Sequence, residues 1–216
     1  MNVSIIIAAY NSGKYLGRAI RSCLDQSMDK RLYEIIVVDD GSTDYTDHVL
    51  HSFGDLIRVI KLEKNMGLPY ACNIGIKSTM SQFFLRVDAD DYIHHDLLKV
   101  EYLYLSMNND MDAVSCDYYL VDEQENIIKR ASGEGEPIAC GILFRKDRFV
   151  DIGLYDESFL LSEDEDLRIR YLNKFSIYNI PLPLYRYRMH GNNSTKNIDK
   201  VNYFKEKLKG KHKLES

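Results

Sequence analysis

Three times before residue 92 the chain runs through an apolar segment and stops on a polar cluster. VSIIIAA precedes Tyr10 and Asn11, EIIVV precedes Asp39 and Asp40, and QFFLRV precedes Asp88, Asp90 and Asp91. Runs that are apolar at successive positions, rather than alternating, fit parallel strands covered on both faces. The segments between them have helical periodicity. Tyr15, Leu16, Ala19, Ile20, Cys23 and Leu24 mark one apolar stripe, with Asn11 and Ser12 placed to cap its start. GSTDYTDHVLHSF reads as a turn and a helix, IRVIKL as a further strand, and LPYACNIGIKS as a helix with Pro69 in its first turn. This alternation predicts an α/β, Rossmann-like, mainly parallel sheet flanked by helices. Ligands of such sheets bind at the carboxyl ends of the strands. AAYN, VVDDGS and RVDADD are therefore expected to meet on one edge.

The chain of 216 residues suits one domain with at most a small appendage, and 45 % hydrophobic content supplies a core. A net charge of −5 argues against nucleic acid as the main partner. The local exception is the stretch from 196 to 216, with seven lysines, read as a solvated helix or frayed tail. Cys23, Cys72, Cys116 and Cys140 lie far apart and form no CxxC pair, so they read as reduced thiols of a cytoplasmic chain and not as a zinc site. The apolar run of MNVSIIIAAYN is too short to span a membrane and lacks a basic flank, so neither a signal peptide nor a transmembrane segment is expected.

Beyond residue 95 the pattern loosens into a smaller mixed region. HDLLKVEYLYLSMN is helical, and DAVSCDYYLVD with NIIKRAS resembles a hairpin. IACGILFRKDRFVDIG reads as a strand and a short helix. SEDEDLRIRYLNK is a helix, and FSIYNIP and LYRYRMH read as two strands.

The acidic clusters carry the chemistry. Asp88, Asp90 and Asp91 crowd three like charges together, which raises each carboxyl's pKa unless a cation, a helix N-terminus or water compensates. Asp88 and Asp90, past a strand end, suit Mg²⁺ or Mn²⁺ completed by substrate phosphates. An acidic loop capping the next helix is the plainer alternative. Asp39 or Asp40 is placed to accept a hydrogen bond from a nucleobase, while Ser42 or Thr43 caps the next helix. In SEDED, Ser162 and Glu165 have capping-box spacing. That leaves Glu163 and Asp164 unexplained, and a carboxylate there can serve as a general base. His190, near Arg186 and Arg188, is placed to meet a diphosphate or a metal.

The ordered set VSIIIAAYNSGKYLGRAIRSCLDQS, EIIVVDDGSTD, NMGLPYACNIGI, LRVDADD and EDEDLRIRY strongly resembles glycosyltransferase family 2 over residues 2 to 195. The resemblance implies one GT-A domain over 1–195. Residues 1–94 form its nucleotide-sugar half, 95–195 its acceptor and catalytic half, and 196–216 a Lys-rich tail. It implies inverting transfer of one sugar from a nucleoside-diphosphate donor, UDP by preference, to an oligosaccharide or glycolipid hydroxyl in bacterial-type surface glycan assembly. Ala8, Tyr10, Asp39, Asp40, Arg86 and Asp88 are implied to bind the nucleotide, Asp90 and His190 the metal (Mn²⁺ or Mg²⁺), and Asp164 to act as the base.

Processive synthases of this family carry a Q-x-x-R-W motif and membrane helices; this chain has no Trp. A single-sugar transferase fits better, with acceptor-side elements either missing or supplied by a partner chain and the basic tail available to an acidic membrane surface. Three rivals stand beside it. A nucleotidyltransferase would show a Gly-rich loop after the first strand, where AAYNSGKY has one Gly. A phosphoacceptor domain would carry its acidic pair after the first strand. A non-catalytic nucleotide- or metal-binding module would need no base at Asp164.

Overall fold

The computed structural model describes residues 1–135, 137–191 and 198–213, with backbone alone at 198–201. Strand β1 (Val3–Ala9) is the centre of the parallel half. It pairs in parallel with β2 (Tyr33–Asp39) on one side and β4 (Phe83–Arg86) on the other, and β3 (Arg58–Lys61) adds to β2. Helices α1 (Gly13–Leu24), α2 (Thr46–His51) and α3 (Leu68–Ser78) make the crossovers. Beyond β4 come the two-residue β5 (Tyr92–Ile93), α4 (Leu97–Met107), β6 (Ala113–Val121), β7 (Ile127–Ala131), β8 (Leu143–Arg145), α5 (Lys146–Asp151), α6 (Glu163–Leu172), β9 (Ile177–Arg188) and α7 (Ile198–His212). The sheet continues as one surface in the order β3-β2-β1-β4-β8-β6-β9-β5, with β7 in a hairpin on β6. Its second half is mixed: β8 runs antiparallel to β4 and β6, whereas β9 runs parallel to β6.

Both faces of β1 are covered, which is why its sequence is an unbroken apolar run. Ile5 and Ile7 pack with Leu16, Ile20 and Cys23 of α1 and with Leu97 and Leu98 of α4. Ile6 faces the other way, with Ala71, Cys72 and Ile76 of α3, Phe84, Phe149 and Tyr171. Each such side chain contributes about 1.5–3 kcal/mol when fully buried. A Cβ on Gly75 would stand 2.6 Å from Ile6 Cγ2, so α3 sits as close to the sheet as it does only with glycine there. All four cysteines are free and buried.

Three local expectations are corrected. FSIYNIP and LYRYRMH are one strand, β9, whose register on β6 jumps from Cys116↔Ile180 to Asp117↔Pro183. Pro181 and Pro183 have no N–H for the ladder, and a bulge absorbs them without ending the strand. Ser12 makes no side-chain cap on α1. Asp44 Oδ2, from the loop after β2, accepts the Gly13 N–H at 3.1 Å instead. In return Asn11 Oδ1 accepts the N–H groups of Thr43 and Asp44 at 2.8 and 3.2 Å. The loops after β1 and β2 are thus laced together.

The Lys-rich segment is the third. The expected boundary at 195/196 lies outside the described residues, but α7 is docked, not solvated: Phe204 and Leu208 are buried against Phe159. Among the described residues no helix is long and apolar enough to cross a membrane.

Candidate functional site

The carboxyl ends of β1, β2 and β4 converge as expected. Gly41 makes the turn after β2 with φ 69°, and a Cβ there would stand 2.5 Å from the Lys64 backbone, so only glycine fits. Asp39 and Asp40, just before that turn, are both buried. Asp40 accepts the Met66 and Gly67 N–H groups at 2.7 and 2.8 Å, one on each carboxylate oxygen. Asp39 Oδ1 accepts the Ser42 N–H at 3.0 Å. Both brace loops beneath the site, and neither lines its cleft. The cleft itself, about 520 Å³, is lined by Ala8, Tyr10, Asn11, Ser12, Lys14, Tyr15, Leu68, Asp88, Ala89, Asp90, Glu123, His190 and Gly191. Tyr10 is 47 % exposed and lines the cleft, where an aromatic side chain can stack on a flat ligand.

The three acids of DADD are compensated in three different ways. Asp88 is gripped by Arg86, with Nε donating to Oδ1 at 2.7 Å and Nη2 to Oδ2 at 3.2 Å. Asp91 is buried and hydrogen-bonded: Tyr185 Oη donates at 2.8 Å and the Arg188 N–H at 2.7 Å. Burial, then the Asp90 and Asp88 charges, push its carboxyl well above the usual range. Asp90 faces the cleft, and its Oδ2 lies 2.7 Å from His190 Nε2. Burial, with the Asp88 charge behind it, raises the Asp90 carboxyl as well. His190 is held in place by stacking on Tyr15, centroids 5.1 Å apart.

A divalent cation fits Asp90 and His190. They offer a carboxylate oxygen and an imidazole nitrogen side by side at the wall of an open cleft. Asp88, Asp91 and Cys140 also bring one ligand atom each within 4.8 Å of one another. That trio is a hydrogen-bonded corner, because both Asp91 oxygens are engaged and burial holds the Cys140 thiol well above its ordinary range.

A second cleft of about 450 Å³ adjoins the first and shares Leu68 and Asp88 with it. Arg86, Tyr118, Pro137–Cys140, Leu160–Asp164 and Tyr187 line it. Here α6 begins. Ser162 precedes it in the left-handed region, φ 59°, and makes no side-chain cap, so the S-x-x-E capping box expected from the sequence does not form. Four acids fill the first turn, where the helix dipole favours them. Glu163 turns inward to Arg86, Oε1 to Nη1 at 3.3 Å. Burial raises its pKa to about 7, against the pull of Arg86 and with a push from Asp164. Asp164 lines the second cleft and a smaller apolar cavity of about 70 Å³ beside it.

The structure therefore brings Ala8, Tyr10, Asp88, Asp90 and His190 to one cleft and Arg86, Asp88 and Asp164 to the next. Sequence reasoning missed Lys14 and Tyr15, whose only signal was their place one turn beyond Asn11. It also missed Glu123, in the β6–β7 turn, which accepts from Lys14 Nζ at 2.7 Å, and Tyr185, which holds Asp91.

The family model for glycosyl transferase family 2 matches residues 4–166. The chain belongs to that family, and its α/β fold with a mixed, curled sheet is the GT-A fold. An uncharacterised glycosyltransferase of Rickettsia typhi is 32 % identical over 211 residues, which cover 89 % of this chain and 65 % of that protein. The chain thus spans about two thirds of the length of the first curated relatives. Staphylococcus aureus TarS, a poly(ribitol-phosphate) β-N-acetylglucosaminyltransferase, is 37 % identical over 102 residues, 46 % of this chain and 18 % of TarS. The structure of TarS residues 1–349 with UDP superposes with a TM-score of 0.78 at 23 % identity, covering 96 % of this chain and 64 % of that one. A Pyrobaculum calidifontis mannosyltransferase bound to GDP-mannose and Mn²⁺ also gives 0.78, at 15 % identity, over 100 % of this chain and 65 % of that one.

Proposed function

We propose that this chain is an inverting glycosyltransferase that moves one sugar from a UDP-linked donor to a hydroxyl of a saccharide or lipid-linked saccharide. The observation that carries the reading is the meeting of two clefts at Asp88. One has Asp90 and His190 on its wall, and the other has Asp164. A nucleotide sugar laid across the junction would put its diphosphate beside Asp90 and His190 and its anomeric carbon toward Asp164. The TarS relative, crystallised with UDP and with UDP-GlcNAc, supports UDP as the first nucleotide to test.

Tyr10 stacks on the base beside Ala8. Asp39 and Asp40 act on the base pocket from behind, by holding the loops at Ser42 and at Met66 and Gly67. Arg86 fixes Asp88 toward the ribose and donor sugar. Asp90 and His190 would hold Mn²⁺ or Mg²⁺, which offsets the charge developing on the leaving diphosphate. Asp164 takes the proton of the acceptor hydroxyl as its oxygen attacks the anomeric carbon. The bond to the diphosphate oxygen breaks on the opposite face and the configuration inverts. Base catalysis of this kind supplies about 10²–10⁴-fold; positioning and electrostatics supply the rest.

Titration calorimetry of UDP, GDP, CDP and dTDP, each with and without Mn²⁺, tests the donor half. Metal-dependent binding of UDP is expected. No binding of any of the four to folded protein would favour a non-catalytic module or a chain that needs a partner.

A further inference from the structure

The C-terminal helix α7 reaches the loop–helix junction that carries Asp164. It does so with charge as well as with apolar side chains. Asp166, in the first turn of α6, is fully buried. Its Oδ1 receives Lys211 Nζ at 2.5 Å and His212 Nε2 at 2.8 Å, both from the last turn of α7. Its Oδ2 receives Arg170 at 2.8 Å from within α6. Lys211 Nζ is also 2.8 Å from Asp156, and Lys207 donates to the Ser158 carbonyl at 2.6 Å. Both cations lie over the Phe159 ring, which Phe204 and Leu208 bury. One helix therefore ties down both ends of the segment 156–166.

That segment is the approach to α6, and its other face is the second cleft, lined by Leu160 to Asp164. Asp164 and Asp166 are two residues apart on one helix, about 200° around its axis. Asp166 thus faces α7 while Asp164 faces the cleft. The junction also carries strain, since Ser162 sits at φ 59° with no side-chain cap to hold it. A first turn entered through an uncapped left-handed residue needs an outside anchor to keep one orientation.

We propose that Lys211 and His212 are positioning residues for the transfer reaction. Through Asp166 they fix the turn that presents Asp164 to the acceptor, and α7 is a latch on the catalytic helix. The proposal rests on the reading of Asp164 as the base. It predicts an effect on turnover and not on nucleotide binding, because none of the latch residues lines the Tyr10–His190 cleft.

The test uses the full chain with Lys211→Met and His212→Gln combined, leaving Phe204 and Leu208 to keep α7 docked. Lys211→Arg serves as the conservative control and Asp164→Asn runs in parallel. Hydrogen exchange at the amides of 163–166, affinity for UDP with Mn²⁺, and UDP release from UDP-GlcNAc are measured on each. In the double variant, exchange at 163–166 should rise while β1 and β4 keep their protection. Turnover should fall about 10–100-fold, the scale of a small misplacement of a reacting group. UDP affinity should stay within about twofold, and Lys211→Arg should retain most turnover by keeping the charge on Asp166. Unchanged exchange at 163–166 would overturn the latch whatever the base. A parallel fall of turnover and UDP affinity would overturn it too, by showing general destabilisation. Full turnover in Asp164→Asn would overturn the base reading and, with it, the role given to the latch.

Discussion

Arg86 holds Asp88 with two parallel hydrogen bonds and reaches Glu163 with its remaining nitrogen, so a single buried guanidinium joins the end of β4 to the start of α6. The Arg86 side chain is 5 % exposed and that of Glu163 9 %. Removing one member of such a pair leaves an uncompensated buried charge, at a cost of about 3–5 kcal/mol. Arg86→Met is therefore expected to lower the unfolding free energy, read from urea titration, by an amount in that range and to lower the midpoint with it, and Arg86→Lys to recover only part of the loss, since an ammonium cannot make the bidentate grip. A midpoint unchanged in Arg86→Met would mean that the three groups are not coupled.

Asp90 and His190 meet at the cleft wall, and the metal proposal depends on both. His190→Ala should weaken Mn²⁺-dependent UDP binding by about 10–100-fold. Binding of UDP without metal should change little, because the contacts proposed for base and ribose lie with Tyr10 and Asp88. Calorimetry with and without Mn²⁺ separates the two. Equal loss in both arms would make His190 a plain diphosphate ligand and leave the metal to Asp90.

Asp164→Asn keeps the size of the side chain and removes its basicity. Transfer should fall about 10²–10⁴-fold while UDP affinity holds. The contrast with His190→Ala is the informative part: one variant loses the chemical step and the other the donor. Single-turnover rates at saturating donor decide it, and a slow step unaffected by Asp164→Asn would remove that residue as base.

The parallel half of the fold was legible in the sequence because burial on both faces writes an unbroken apolar run at β1, β2 and β4. Convergence of the three strand ends followed from topology alone. What each aspartate does there was not legible. Asp88 is defined by Arg86 two residues away, but Asp90 and Asp91 are defined by His190, Tyr185 and Arg188, about a hundred residues on. Nothing local distinguishes them. FSIYNIP and LYRYRMH read as two strands, because the bulge that joins them across Pro181 and Pro183 is visible only once β6 is beside them. The lysines of α7 read as a solvated helix or frayed tail, and it is the solvation that the structure corrects. The opposing signal was Phe204 and Leu208, four residues apart and so on one helical face.

Glu101 of α4 lies outside both clefts and gives the clearest pH dependence. It is fully buried, and neither of its carboxylate oxygens has a hydrogen-bond partner of ordinary geometry. Burial pushes its pKa well above the usual value, only partly offset by Cys116 and the Leu143 N–H nearby. In the unfolded chain the same carboxyl ionises near pH 4.3, about the free glutamate value. Above that pH the unfolded state has released a proton that the folded state still binds, so stability is lost as pH rises toward the folded pKa. Glu101→Met keeps the length of the side chain and removes both the titration and the unpaired oxygens. It should stabilise the protein at pH 8 by about 1–3 kcal/mol, the cost of an unsatisfied buried polar group. The gain should shrink toward pH 4, where wild-type Glu101 is neutral in the folded state and mostly neutral in the unfolded one. Urea midpoints at pH 8 and near pH 4 test this. An equal gain at both would assign the effect to packing alone, and a loss at both would mean that the carboxyl has a buried partner that stabilises it.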